Sequence, residues 1–220
     1  MSSASDAVTD RHYRYIAAHA CPEDPRLREL KRAAAQAGIP EIWIAPEQAE
    51  FMRILLLAAR ARRVVEVGTL AGYSAISMAL VLPLDGRVDT IELEPRHADF
   101  AEHWIQRFGL DDRIRVHRGA GAAVLSRFGA GSADAGFIDA DKENYPLYLR
   151  ELLRIVRPGG LIMADNAFAF GQLLDPHPAD PGVTHIRAFN DLVASTPNLR
   201  GIIVPFGDGL WVAVKEPSAA

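Results

Sequence analysis

Cysteine occurs once in this chain of 220 residues, as Cys21. No intramolecular disulfide can form, which agrees with a reducing compartment. Long apolar runs are also missing, so no segment reads as a membrane span. Met1-Ser2-Ser3-Ala4-Ser5-Asp6 lacks the basic start and apolar core of a secretory leader. Positive charge is not in excess. The formal charge is -4, and the basic residues are scattered, which argues against a nucleic-acid surface built on a basic patch. Arg60, Arg62 and Arg63 form the one tight cluster, at a point where a helix should end and cations complement its dipole. Gly/Ser linkers, internal repeats and low-complexity blocks are absent, so the expected organisation is one domain over residues 1–220. Together these absences describe a cytoplasmic protein with neither a nucleic-acid nor a membrane partner.

What is present begins with a 49% hydrophobic content, enough to fill a substantial core. The stretch Arg63-Val64-Val65-Glu66-Val67-Gly68-Thr69-Leu70-Ala71-Gly72-Tyr73-Ser74 organises the rest. Its β-branched start is the pattern of a buried parallel strand. It breaks into a turn bounded by Gly68 and Gly72, then enters the apolar, helical Ala75–Leu82. Strand, glycine turn and helix build a nucleotide pocket at the carboxyl edge of an open α/β sheet. The next strand, Arg87–Glu92, ends in an acid that can accept both hydroxyls of a ribose. A dinucleotide site usually reads G-x-G-x-x-G. Here the middle glycine is missing and no Lys or Arg lies in the turn. A nucleoside without phosphates fits better, with S-adenosylmethionine as the candidate, and Glu66 could help to hold its cationic end.

Around this centre, strands alternate with helices, which implies a Rossmann-like, doubly wound, mostly parallel sheet with helices on both faces. Residues 1–45 read as an N-terminal helical cover, with Asp24-Pro25 as a helix cap and start. Glu41–Ala45 is extended, and the helix opened by Pro46 turns Phe51, Ile54, Leu55 and Ala58 inward. Further strands are expected at Arg113–His117, Ala133–Asp139 and Leu161–Ala164, with Arg157-Pro158-Gly159-Gly160 as a turn before the last. Residues 171–183, with Pro176, Pro178 and Pro181, read as an active-site loop. Ile202–Phe206 and Leu210–Val214, joined by Gly207-Asp208-Gly209, form an antiparallel terminal hairpin. That ending suits a methyltransferase better than a dehydrogenase.

Active groups of parallel sheets gather at the carboxyl ends of strands. Asp139, Asp165 and Asn166 stand at two such ends. If those strands are neighbours, two carboxylates and an amide suit a hard divalent cation: Mg²⁺ first, Mn²⁺ or Ca²⁺ as alternatives. Helix capping and loop solvation are the competing roles for these acids. Lys142, three residues past Asp139, could serve as a general base beside a cation or simply pair with Asp141 or Glu143. Gly119-Ala120-Gly121 is small enough to pass beside an adenine ring.

These segments give the chain a resemblance. It resembles the cation-dependent S-adenosylmethionine O-methyltransferases, the group of catechol and caffeoyl-coenzyme A O-methyltransferases, as a small bacterial-type member. The matching segments are Ala45–Gln48, Val65–Ser74, Phe137–Lys142, Arg157–Gly160 with Ala164–Asn166, and Gly207–Gly209. The resemblance implies that Asp139, Asp165 and Asn166 bind the metal and that Lys142 is the catalytic base. It implies cofactor contacts at Glu66, Gly68, Tyr73, Ser74 and Glu92, with Gly119 and Ala120 near the adenine and Asp139 near the amino group. The expected activity is methyl transfer from S-adenosylmethionine to one hydroxyl of a small aromatic diol, and the expected assembly is a homodimer. Ala169 stands where many members carry Trp, which would open the acceptor pocket. Trp43, Phe168, Phe170 and Trp211 are candidate walls for a flat ring, with core packing as the competing role. Two other classes remain in view. A non-catalytic cofactor-binding module would not need the Asp139, Lys142, Asp165 and Asn166 set. A nicotinamide-dependent dehydrogenase would need the missing glycine.

Overall fold

The computed structural model describes residues 8–217; the N-terminal stretch considered above, residues 1–6, lies outside them. Three helices come first: α1 (Asp10–His19), α2 (Pro25–Gln36) and α3 (Pro46–Ala58). The Asp24 carboxylate accepts the backbone N–H of Arg26 at 2.8 Å, the cap that the Asp-Pro pair implied. Then β1 (Arg63–Val67), α4 (Tyr73–Ala79), β2 (Arg87–Glu92), α5 (Pro95–Arg107), β3 (Ile114–Arg118), α6 (Gly121–Leu125) and β4 (Ala133–Ile138) alternate. A short 3-10 turn, Lys142–Asn144, leads into α7 (Tyr145–Ile155), followed by β5 (Val156–Ala164), α8 (Gly182–Ser195), β6 (Leu199–Val204) and β7 (Leu210–Lys215).

The strands form a seven-stranded sheet in the order β3-β2-β1-β4-β5-β7-β6. The first five are parallel, and β7 pairs antiparallel with both β5 and β6. The order reverses between β1 and β4, where the connections after the two parallel strands lead to opposite sides and open a crevice at the carboxyl ends. One core packs α2–α5 against one face of the sheet, around Leu30, Met52, Ile76 and Trp104. A second packs α6–α8 against the other, around Leu125, Leu152, Ile186 and Phe189. No helix among the described residues is long and apolar enough to cross a membrane.

Three local expectations need correction. The buried face of α3 is Gln48, Ala49, Met52 and Leu56, whereas Ile54 is exposed. The C-terminal part of this helix, Ile54 to Ala58, is apolar on every side, so periodicity could not choose its face. The Arg157–Gly160 segment is not a turn ahead of a strand but a bulge within one. Ala133 pairs with Val156, and Ala135 with Leu161. Ala169 does not open onto a pocket: it is fully buried in the second core.

Candidate active site

The glycine turn after β1 sits over a polar chain. Thr90 Oγ1 donates to Glu66 Oε2 at 2.5 Å and lies 2.6 Å from Thr69 Oγ1. Glu92 then fastens the turn from the next strand. Its Oε2 accepts the N–H groups of Thr69 and Leu70 at 3.1 and 2.8 Å, and its Oε1 accepts that of Glu94 at 2.9 Å. Both oxygens keep acceptor capacity, as an anion with about four lone-pair sites. Gly68, at φ +99°, passes so close to Asp139 that a Cβ would lie 1.8 Å from its carbonyl oxygen. The turn after β1 and the end of β4 are thus one packed unit.

Above it lies a cavity of about 530 Å³. Its walls include Gly68, Tyr73, Ser74, Glu92, Gly119, Ala120 and Asp139, seven of the eight residues expected at a cofactor. The exception is Glu66. It is fully buried behind the wall, and its Oε1 has no hydrogen-bond partner. Burial holds this acid up to about 8; the Ser74 and Thr90 hydroxyls work against that, while the charges of Asp139 and Glu92 add to it. Burial thus works against the fixed negative charge read from the sequence.

A raised carboxyl stabilises the fold fully below its unfolded value, here 4.5, and that contribution is lost as pH rises through about 8. The ligand-free protein should lose up to about 1.4 kcal/mol per pH unit from this group across that window. In Glu66→Gln that share of the slope should vanish, measured by urea unfolding at pH 5 and pH 8. Equal slopes in the two proteins would show that Glu66 is already ionised.

The N-terminal segment closes the cavity from the other side through Ile42, Trp43 and Ile44. Tyr73 Oη donates to Glu23 Oε1 at 2.7 Å, and Lys31 Nζ pairs with the same oxygen at 2.7 Å. The cover is thereby tied to the first turn of α4. None of residues 171–183 lines this cavity.

Where the cavity meets the ends of β4 and β5, the chemistry-bearing side chains come together. The two strands are neighbours, and the Asp165 N–H donates to the Ile138 carbonyl at 3.0 Å. Lys142 Nζ donates to Asp139 Oδ1 at 3.3 Å, to Tyr145 Oη at 2.7 Å and to Asn166 Oδ1. Asp139 is raised above the usual carboxylate range by desolvation, with Lys142 opposing. Asp165 is pushed up to about 7 by burial and by the like charge of Asp139, against a hydrogen bond from Gln48. Two acids that repel each other in a partly dry site are what a divalent cation would relieve. The Asn166 carboxamide turns its oxygen to Lys142, so the donor set is all oxygen, which fits Mg²⁺. Among the described residues no three His, Cys, Asp or Glu side chains form a metal-binding group, and the set is completed only by this amide.

The four aromatic candidates separate. Trp43 lines the cavity. Phe170 is exposed, with Lys142 Nζ 5.9 Å from its ring centre. Phe168 packs over Gly209, where a Cβ would meet the ring at 2.9 Å. Trp211 is no ring wall: it pairs opposite Ala164 within the second core and donates from Nε1 to Asn190 Oδ1 at 2.7 Å. Sequence reasoning assigned no role to Tyr145, Gln48 or Asp208. Tyr145 is fully buried beneath Lys142, with Nζ 4.7 Å from its ring centre.

Comparison with known proteins agrees with this geometry. The O-methyltransferase family model matches residues 17–216. A catechol O-methyltransferase of Niastella koreensis is 38% identical over 197 residues, covering 88% of this chain and 87% of that protein. A caffeoyl-CoA O-methyltransferase of Eucalyptus gunnii is 29% identical over 215 residues, covering 92% and 86%. Among solved structures, the O-methyltransferase of Bacillus cereus in complex with SAH superposes with a TM-score of 0.84 at 34% identity, over 92% of this chain and 96% of that one. With a family model that spans nearly the whole chain and a relative 38% identical over most of both proteins, the chain belongs to the O-methyltransferase family.

Proposed function

We propose that this S-adenosylmethionine-dependent O-methyltransferase moves the methyl group to one hydroxyl of a catechol-like vicinal diol on a small aromatic acceptor, with a divalent cation, Mg²⁺ first, as its partner. The reading is carried by one observation. Asp139 and Lys142 belong both to the wall of the cavity and to the cluster that contains Asn166. A methyl donor in the cavity and an acceptor at the cluster would therefore share a boundary. The catechol and caffeoyl-CoA relatives support a phenolic acceptor, and the SAH complex supports the cofactor.

On this reading Glu92 takes the ribose hydroxyls, Gly119 and Ala120 flank the adenine, and Tyr73 and Ser74 line the amino-acid end. Asp139, Asp165 and Asn166 would hold the cation. When bound, the cation would acidify the acceptor hydroxyl, and the cofactor would supply an electrophilic methyl group. In its neutral form, which the charge of an adjacent cation would favour, Lys142 takes the hydroxyl proton at Nζ, and the hydrogen bond to Tyr145 fixes that nitrogen in place. Trp43 and the cover exclude water, which favours a step in which opposite charges cancel, and holding both reactants in line supplies much of the rate.

Catechols and their monohydroxy analogues, assayed with Mg²⁺ and with chelator, test this directly. Turnover is expected for the vicinal diols alone, lost with chelator and lowered at least about 100-fold in Asp165→Ala. Turnover indifferent to chelator would remove the cation from the reading.

A further inference from the structure

The two groups at the end of β5 do not hold themselves. Gln48, on α3 and 1% exposed, donates from Nε2 to Asp165 Oδ1 at 2.7 Å. Its own Oε1 lies against Gly207, where a Cβ would come within 2.5 Å of it. Next in the chain, Asp208 gathers three N–H donors. Its Oδ2 accepts from Asn166 Nδ2 at 3.1 Å and from the Phe170 N–H at 2.8 Å, and its Oδ1 accepts from the Gly171 N–H at 3.2 Å. Asn166, Ala169 and Phe170 all have positive φ, at 63°, 53° and 59°. Such backbone persists only where its surroundings over-determine it.

We infer that Gln48 and Asp208 are positioning residues that preset the Asp165 carboxylate and the Asn166 carboxamide for a divalent cation. The inference rests on the cation reading above. An amide can present either its oxygen or its nitrogen, and only the oxygen can ligate a hard cation. Asp208, whose oxygens already accept two backbone N–H groups, takes Asn166 Nδ2 and so leaves Oδ1 on the Lys142 side. Gln48 does the corresponding service for Asp165: it engages Oδ1 from behind and fixes the plane of the carboxylate. The Gly207-Asp208 turn links the two, since Gly207 makes room for Gln48 while Asp208 holds Asn166. Hydrogen-bonded supports of this kind are typically worth 10- to 100-fold in metal affinity.

Mn²⁺ binding to the full chain, read by the loss of the free-ion electron paramagnetic resonance signal, tests this without any turnover. Gln48→Met keeps the volume and drops the hydrogen bond; Asp208→Ala removes the acceptor. Both are expected to weaken Mn²⁺ binding about 10- to 100-fold, while affinity for S-adenosylhomocysteine, measured by calorimetry, stays within about twofold of the parent. A role in structure alone would lower both affinities together. Asp208→Asn retains a carbonyl oxygen for Asn166 Nδ2 and should recover part of what Asp208→Ala loses; it and Gln48→Met carry the test if Asp208→Ala does not fold. Parent-like Mn²⁺ affinity in Gln48→Met and in the Asp208 variant would overturn the inference and leave the cation reading standing. Absence of Mn²⁺ binding by the parent chain would overturn both.

Discussion

Lys142→Ala is expected to lower kcat by about 10²- to 10⁴-fold, the usual contribution of a positioned general base, with cofactor affinity nearly unchanged. The site gives the reason for both halves. Lys142 Nζ stands at the junction of Asp139, Asn166 and Tyr145, where an acceptor hydroxyl would shed its proton. The walls assigned to the ribose and adenine, Glu92, Gly119 and Ala120, lie on other elements and do not depend on it. The decisive variant is Lys142→Arg. Arginine keeps the positive charge opposite Asp139 but never deprotonates at working pH. If Lys142 acts as a base, Lys142→Arg should be as slow as Lys142→Ala. Should it instead keep most of the parent kcat, the lysine supplies only a fixed charge, and another group takes the proton. Measuring kcat together with the calorimetric Kd for S-adenosylhomocysteine separates a chemical defect from a binding one.

The part of this site that could be read from the chain is the part written locally. Val64-Val65 and the acids that close β2 and β4 are short-range signals, because a buried parallel strand is apolar until it reaches the crevice. Asp139, Asp165 and Asn166 are candidates on that logic, once β4 and β5 are neighbours, whereas Lys142 is singled out by the resemblance, its spacing alone suiting a surface ion pair. The supports are not local. Gln48 and Asp165 are 117 residues apart, and Asn166 and Asp208 are 42 apart. No periodicity links such partners; only the packed sheet does. Gln48 did not stand out, since Glu47, Glu50 and Arg53 lie in the same half of α3, and the face of that helix was itself ambiguous. Trp211 misled for a related reason. Aromatic residues near a strand end suit a ring pocket and a core equally well, and the pairing of β7 with β5 decides for the core. Glu66 misled in charge, not in position: a strand-end acid was read as an anion, whereas full burial pushes its carboxyl up to about 8.

Gly68→Ala should be the most damaging single-methyl change in the glycine turn. Glycine here is not merely a convenience for the bound cofactor. A Cβ at residue 68 would fall 1.8 Å from the Asp139 carbonyl oxygen and 2.7 Å from its carbon, both backbone atoms at the end of β4. The φ of +99° adds strain for any residue with a side chain. Neither penalty can be relieved by a rotamer, so β1 and β4 must part at the crevice. A loss of more than about 4 kcal/mol is expected, in the range reserved for gross steric conflict. Gly109→Ala supplies the matched control. Its φ is +65°, and nothing lies within 4 Å of the added methyl, so only the left-handed backbone is charged, about 1–2 kcal/mol. Urea midpoints of the two variants should differ accordingly, with Gly68→Ala far below Gly109→Ala or unfolded from the outset. Any folded fraction of Gly68→Ala should also bind Mn²⁺ poorly, because the displaced carbonyl belongs to Asp139. Equal midpoints would mean that the β1–β4 contact yields easily, and that the acid pair sits on a far softer frame than the packing implies.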